Sequence, residues 1–172
     1  MNNLAFRMMT HLGMPLRDRL MPPDAMLAEA GPRPGWRVLD YGCGPGTFVI
    51  KAAEAVGPSG EVTGLDIQPL ALRYVEKRAA KAGLSNVRTM TPEGTASVPD
   101  ASLDLVILFD VYHMLPDGPA VLSEIRRMLK SGGRLAFSDH HLDAADLGPA
   151  ITAHGAWIAE DIGRYTMNFR AA

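Results

Sequence analysis

The run Val38-Leu39-Asp40-Tyr41-Gly42-Cys43-Gly44-Pro45-Gly46 decides how this chain is read. Val38 and Leu39 suit a buried strand, Asp40 closes it, and glycines at 42, 44 and 46 follow. Glycine lacks a Cβ and reaches positive φ freely, so such a turn brings backbone close to a ligand at the end of a parallel strand.

Outward from that turn, short apolar runs alternate with longer amphipathic ones, the pattern of repeated βα units around a parallel sheet. Strands are expected at 36–40 and 61–66, with a helix over 47–56 between them that Gly57-Pro58-Ser59-Gly60 stops. A helix over 69–82 follows, with Pro69 in its tolerant first turn and Gly83 beyond its end. A third strand is expected at 86–91 and a loop over 92–102. The nearly unbroken apolar run at 103–109 suits a central strand covered on both faces. A helix over 118–130 stops at Ser131-Gly132-Gly133, before a strand at 134–138. A further helix is expected over 143–154, interrupted at Gly148-Pro149. Strands at 157–160 and 165–170, joined around Gly163, close as an antiparallel hairpin. The expectation is an α/β fold with seven mostly parallel strands. Five methionines (Met1, Met8, Met9, Met14, Met21) precede Pro22-Pro23. Residues 1–34 therefore read either as a helical flap or cap, or as a leader that only packs on the core, ahead of a ligand-binding domain over 35–172.

With 172 residues, 47% hydrophobic and 21% charged, the chain has material for one globular core. Seventeen Lys and Arg against 19 Asp and Glu give a net charge of -2, so no global basic field invites nucleic acid or an anionic membrane. A local basic group, Arg126, Arg127, Lys130 and Arg134, falls near the expected end of a helix, where cations complement exposed carbonyls. The lone cysteine, Cys43, excludes an intramolecular disulfide and a multi-cysteine zinc site, and a cytoplasmic location is expected. No signal-peptide stretch opens the chain and no segment approaches ~18 uninterrupted apolar residues, so no membrane span is expected.

The glycine register selects among ligands. Counted from Gly42 the pattern is G-x-G-x-G, and Thr47 stands where the dinucleotide fingerprint G-x-G-x-x-G has its third glycine. Asp40 beside the turn would repel a pyrophosphate and attract the ammonium and sulfonium charges of S-adenosylmethionine. Asp66 ends the second strand about 20 residues further on, where a carboxylate accepts the ribose hydroxyls of an adenosine. A turn or helix-capping role for Asp66 is the competing reading.

These residues make the chain resemble a class I S-adenosylmethionine-dependent methyltransferase. Residues 38–48, 61–72 and 86–115 match in order, and Val98-Pro99-Asp100-Ala101-Ser102-Leu103-Asp104 resembles the family's lead into the fourth strand. Ser131-Gly132-Gly133-Arg134-Leu135 completes a pattern similar to the small-molecule enzymes of ubiquinone and menaquinone biosynthesis. The resemblance implies a Rossmann-like sheet with helices on both faces and transfer of a methyl group to a small-molecule acceptor, leaving S-adenosylhomocysteine. It assigns Asp40, Gly42, Cys43, Gly44 and Gly46 to the methionine part, Asp66 to the ribose and Ile67 to the adenine ring. Glu93 and Gly94 fall where the family often has an acidic residue near the adenine amino group, although Pro92-Glu93-Gly94-Thr95 departs from the common aspartate-alanine pair. Phe109 and Asp110 would lie beside the cofactor's methionine end.

Methyl transfer is an in-line displacement, helped chiefly by holding the nucleophile against the methyl carbon. A base is needed only when the nucleophile carries a proton it must lose. Three of the five histidines fall on the expected ligand edge, with Asp110 and His113 after strand four and Asp139-His140-His141 after strand five. His113 or His140 is the candidate base, with Asp110 beside them; the alternative is that the histidines cap loops. Nothing in their spacing is diagnostic of a metal, and none is expected. Two other functions compete: a non-catalytic S-adenosylmethionine-binding module acting through a protein partner, and a nicotinamide-dependent oxidoreductase, which the glycine register disfavours.

Overall fold

The computed structural model describes residue 8 and residues 18–142, 148–149, 151–153 and 156–172. One seven-stranded sheet, in the order β3-β2-β1-β4-β5-β7-β6, organises them. Its strands are β1 (Arg37–Tyr41), β2 (Glu61–Leu65), β3 (Val87–Met90), β4 (Leu103–Phe109), β5 (Leu129–Ser138), β6 (Trp157–Ile162) and β7 (Met167–Ala171). The first five are parallel, and β7 and β6 close the sheet as an antiparallel hairpin beyond β5. The described helices are α1 (Pro23–Ala30), α2 (Thr47–Val56), α3 (Pro69–Lys81) and α4 (Gly118–Met128). None of the described helices is long and apolar enough to cross a membrane.

Strand alternation sends side chains to two cores. In β4, Leu105, Ile107 and Phe109 meet Met26, Leu27 and Ala30 of α1, Phe48, Val49 and Ala53 of α2, and Val75 of α3. Val106 and Leu108 face the other way, into Leu122, Ile125 and Met128 of α4 and Phe169 of β7. Both faces of β4 are therefore dry, which explains its apolar run. The exception, Asp104, lies at the strand's start, where it accepts the Arg37 backbone N–H at 2.8 Å and the Lys130 ammonium at 2.7 Å.

Two expectations differ from what is observed. The expected loop 92–102 contains a short 3-10 helix, Pro92–Ser97, which Arg127 ties down by donating to the carbonyls of Thr95 and Val98 at 3.1 and 2.8 Å. The expected helix 118–130 ends at Met128, and Leu129 begins β5, opposite Leu103. Ser131-Gly132-Gly133 does not precede the strand but forms an irregularity inside it, shifting the register between Leu103 and Leu105. Gly132 has φ +74°, and a Cβ on Gly133 would lie 2.9 Å from the Lys130 carbonyl and 3.1 Å from that of Leu103. Glycine here serves a bulge rather than a helix stop.

The expected helix 143–154 lies largely outside the described residues. Of it, Gly148, Pro149, Ile151 and Thr152 are helical and Ile151 is buried in the second core. Most of residues 1–20 also lie outside them. Further on, α1 is part of the first core, and its Glu29 accepts the backbone N–H groups of Arg164, Tyr165 and Thr166 at 3.0, 2.9 and 2.8 Å. The basic group is spoken for: Lys130 pairs with Asp104, Arg127 with Glu124 and Asp100, Arg134 with Glu160, and Arg126 donates to the Ala172 carbonyl.

Candidate active site

Because β1 to β5 run parallel, their carboxyl ends share one edge, and the order of strands reads off the order of loops along it. The loops carry Glu93 and Gly94 after β3, Asp66 and Ile67 after β2, the glycine turn after β1, Asp110 and His113 after β4, and Asp139 to His141 after β5. Strand β1 has β2 on one side and β4 on the other, so chain connectivity reverses direction there. Such switch points leave a crevice at which α/β sheets bind ligands.

The glycine turn is locked to its neighbours. The backbone N–H groups of Gly42 and Cys43 both donate to the Leu65 carbonyl, at 2.7 and 2.8 Å. Arg78 of α3 donates to the Pro45 carbonyl at 2.9 Å. All three glycines have positive φ, at +80°, +52° and +84° for Gly42, Gly44 and Gly46. They differ in what surrounds them. A Cβ on Gly42 would lie 2.3 Å from Val111, and one on Gly46 2.7 Å from Val75, so packing within the fold accounts for both. A Cβ on Gly44 would meet nothing within 4 Å. Open space lies over Gly44 alone of the three.

Asp66 holds that residue. Its Oδ2 accepts the Gly44 N–H at 2.9 Å and its Oδ1 the Gln68 N–H at 2.8 Å, just ahead of α3. The turn-capping role is thus real. A carboxylate has about four lone-pair sites, so two acceptor directions remain. Next to it, Ile67 is 77% exposed, an unusual position for a large apolar side chain beside a polar crevice.

Asp40 is buried, at 2% exposure, beneath the turn. Burial, reinforced by the negative charges of Asp40 and Asp66, pushes the Cys43 thiol far above its ordinary pKa. Cys43 is a small packing residue, its sulfur 3.0 Å from where a Cβ on Gly64 would stand. Phe109 is likewise interior, edge-on to Phe48 with ring centroids 4.9 Å apart. Glu93 is exposed on its short helix; hydrogen bonding to Thr91 and to its own backbone holds its carboxyl below the ordinary value. Gly94 packs on Met90.

The histidines are cross-braced. Asp110, after β4, binds His140, after β5: its Oδ1 accepts the His140 backbone N–H at 3.1 Å and lies 2.7 Å from Nδ1. In the opposite sense Asp139, after β5, binds His113, after β4, through the backbone N–H at 3.0 Å and Nδ1 at 2.9 Å from both oxygens. His141 lies between the two rings, 4.0 Å from each by centroids, and its N–H donates to Asp139 at 3.1 Å. Asp110 adopts φ +56°, uncommon outside glycine, and is held so by its N–H on the Ser138 carbonyl. From sequence, Asp139 reads only as one polar residue of this edge; its partnership with His113 depends on β4 and β5 being neighbours. Among the described residues, no group of three or more His, Cys, Asp or Glu side chains is arranged to hold a metal ion.

Residues 32–162 match the family model described as a methyltransferase domain. The chain belongs to the class I S-adenosylmethionine-dependent methyltransferase family. Nocamycin O-methyltransferase of Saccharothrix syringae is 38% identical to this methyltransferase domain over 114 residues, 66% of the chain and 41% of that protein. Demethylmenaquinone methyltransferase of Geobacillus kaustophilus is 40% identical over 102 residues, 58% of the chain and 43% of that protein. The matched part of the methyltransferase domain thus spans less than half the length of these curated relatives. A SAM-dependent methyltransferase from Aquifex aeolicus has the same fold, with a TM-score of 0.81 at 22% identity, covering 99% of this chain and 98% of that one.

Proposed function

We propose that this domain transfers a methyl group from S-adenosylmethionine to a small-molecule acceptor, leaving S-adenosylhomocysteine. The observation that carries the reading is the open face of Gly44 beside a carboxylate, Asp66, with two acceptor directions left. Both lie at the switch point of the sheet, and the exposed Ile67 adjoins them. The residues fit the cofactor. Asp66 would accept the ribose hydroxyls, Ile67 would cover the adenine, and Glu93 and Gly94 flank that end. Asp40, the Gly42–Gly46 turn and Phe109 form the floor under the methionine part.

When bound, the cofactor supplies an electrophilic methyl on a positively charged sulfur. The chain's own contribution is placement and charge: the Asp40 and Asp66 carboxylates favour a cation, while Asp110, His113 and His140 provide the polar wall for the acceptor. The segment ahead of Pro22 would close over that acceptor, and its five methionines support an apolar one, whereas α1, packed into the first core, belongs to the domain and not to the cap. The reaction is taken to run in the cytoplasm, without nucleic acid as acceptor.

Calorimetry with S-adenosylmethionine, S-adenosylhomocysteine and NAD tests the cofactor. Binding of both adenosyl compounds and not NAD is expected; NAD binding alone overturns the reading. Transfer of labelled methyl to members of a metabolite panel tests the reaction. Deleting residues 1–20 should raise KM for the acceptor, and unchanged kinetics would remove the cap.

A further inference from the structure

We propose that Arg164 selects the methyl acceptor, and that the acceptor carries a carboxylate at a distance from the atom that receives the methyl group. The inference rests on the S-adenosylmethionine reading above. It starts from strand direction. Because β7 runs antiparallel to β5, with Phe137 opposite Met167, the turn that precedes β7 opens on the same edge as the loops that follow β4 and β5. Continued residue by residue beyond that pair, the register brings Ser138 level with Thr166, Asp139 with Tyr165 and His140 with Arg164. Arg164 therefore stands on the edge that carries Asp110, His113 and His140, at the end away from Asp66.

The turn holds its arginine in place. Glu29 Oε1 accepts the Arg164 N–H at 3.0 Å, and Oε2 accepts those of Tyr165 and Thr166 at 2.9 and 2.8 Å. The Gly163 N–H closes the turn on the Thr166 carbonyl at 2.8 Å. A Cβ on Gly163 would lie 2.3 Å from Glu29, so α1 and the turn are in close contact. The Arg164 guanidinium carbon lies 5.3 Å from the centroid of the Tyr165 ring, and Tyr165 itself packs against the first core. A cation over a ring face is held by the ring quadrupole while its N–H edge stays open. Among the described residues, no carboxylate pairs with this guanidinium.

Its charge has no equal on this side of the site. Residues 110–117, 139–156 and 163–166 follow β4, join β5 to β6 and precede β7; they contain five aspartates, and Arg164 is their only lysine or arginine. The described aspartates among them are engaged within their own loops. Asp110 and Asp139 hold His140 and His113, and Asp117 accepts the Ala120 N–H at the start of α4. An anionic group on the acceptor thus has one seat here. A guanidinium presents a planar fork that a carboxylate matches with two parallel hydrogen bonds. A dianionic phosphate would bring a second negative charge against the same aspartates with no further cation to meet it.

The cofactor has a carboxylate of its own, on its methionine part, but that part belongs over the glycine turn after β1. Strands β4 and β5 separate β1 from β7, and at about 4.8 Å per spacing the two ends stand roughly 14 Å apart. An acceptor lying between them reaches both, with its reacting atom near the glycine turn and its carboxylate towards β7. Met114, 65% exposed in the loop after β4, offers an apolar contact along that span.

The test uses the full chain saturated with S-adenosylhomocysteine and two probes of similar shape, benzoate and benzamide, followed by NMR of the arginine side-chain N–H groups. Benzoate is expected to shift the Arg164 Nε–H signal and benzamide to leave it in place. R164Q should weaken benzoate binding about fivefold or more, and R164K, which keeps the charge without the fork, should fall between. For turnover, labelled methyl is offered to a panel in which each carboxylic acid is paired with its primary amide. R164Q should raise KM for the acids about five- to tenfold with kcat little moved, leave the amides unchanged, and keep the Kd for S-adenosylhomocysteine within about twofold. If no member of the panel is methylated, the benzoate measurements decide. Absence of benzoate binding, benzoate binding that survives R164Q or leaves the Arg164 signal unmoved, or equal KM changes for acids and amides would overturn the inference. Methylation confined to amides would overturn the acceptor class. A loss of S-adenosylhomocysteine affinity in R164Q would assign Arg164 to the cofactor and overturn it as well. Failure of the wild type to bind either adenosyl compound would sink the underlying function instead.

Discussion

His113 and Asp139 are 26 residues apart in the chain, yet the ring Nδ1 lies 2.9 Å from both carboxylate oxygens and the backbone N–H of the same histidine adds a third contact at 3.0 Å. One residue at the end of β5 thereby fixes a loop at the end of β4. Asp110 and His140 repeat the arrangement in the opposite sense, so neither loop is free to move without the other. A site built this way is pre-organised, which matters for a reaction whose rate depends chiefly on alignment.

The three glycines of the turn should separate by experiment. G44A adds a Cβ in left-handed backbone, costing about 1–2 kcal/mol, but it meets no neighbour in the fold and projects into the proposed cofactor space. G42A drives a Cβ to 2.3 Å from Val111 and should cost at least about 2 kcal/mol more than G44A. Urea unfolding and calorimetry together check this. G44A should lose about tenfold or more in S-adenosylmethionine affinity. Equal affinity losses at well-folded G42A and G44A would contradict the distinction.

Asp66 has two duties, so its variants should show two effects. D66N keeps one carbonyl oxygen for the Gly44 and Gln68 N–H groups and presents an NH2 where the other oxygen was. Stability should fall by about 1–2 kcal/mol. Affinity for S-adenosylmethionine should fall at least about tenfold, while adenosine lacking both ribose hydroxyls should lose little. If both compounds weaken alike, Asp66 serves the turn alone.

Glu29 is a stability site that holds the turn ahead of β7. Burial would raise its pKa, but the N–H groups of Tyr165 and Thr166, the Thr166 hydroxyl and the Arg164 N–H together hold it below the ordinary value. A folded pKa lower than the unfolded one contributes stability in full above about pH 4.3, and loses it as pH falls through the folded value. E29Q should therefore unfold more easily than wild type by about 1–3 kcal/mol at neutral pH. The gap should shrink as the pH is brought to about 3. A gap independent of pH would mean that the carboxylate charge contributes nothing.

Cys43 should be chemically silent. Its burial and the flanking Asp40 and Asp66 charges disfavour the thiolate, which is the reactive form. A maleimide at neutral pH should leave the native protein unlabelled and modify it once in urea; because the chain has a single cysteine, the stoichiometry is unambiguous. Rapid labelling of the folded protein would show the turn to be open.

Much of the fold was legible without coordinates because its signals are local. The apolar run 103–109, the glycine turn and the Pro69 helix start each depend on residues within a few positions, and each element is found where periodicity put it. The misreading at 129–133 has the same cause in reverse. Glycines that stop a helix and glycines that form a bulge look alike until the partner strand, here β4 at Leu103, is known.

By itself, then, the sequence determined the alternating βα architecture, the three-glycine turn and the carboxylates at the ends of β1 and β2, since these follow from backbone preference and short-range pattern. Only the tertiary structure decided which glycine faces open space, which carboxylate holds which histidine, and that Glu29 binds a turn more than 130 residues away. Those are properties of strand order and of packing across it, which bring together groups that no sequence spacing relates.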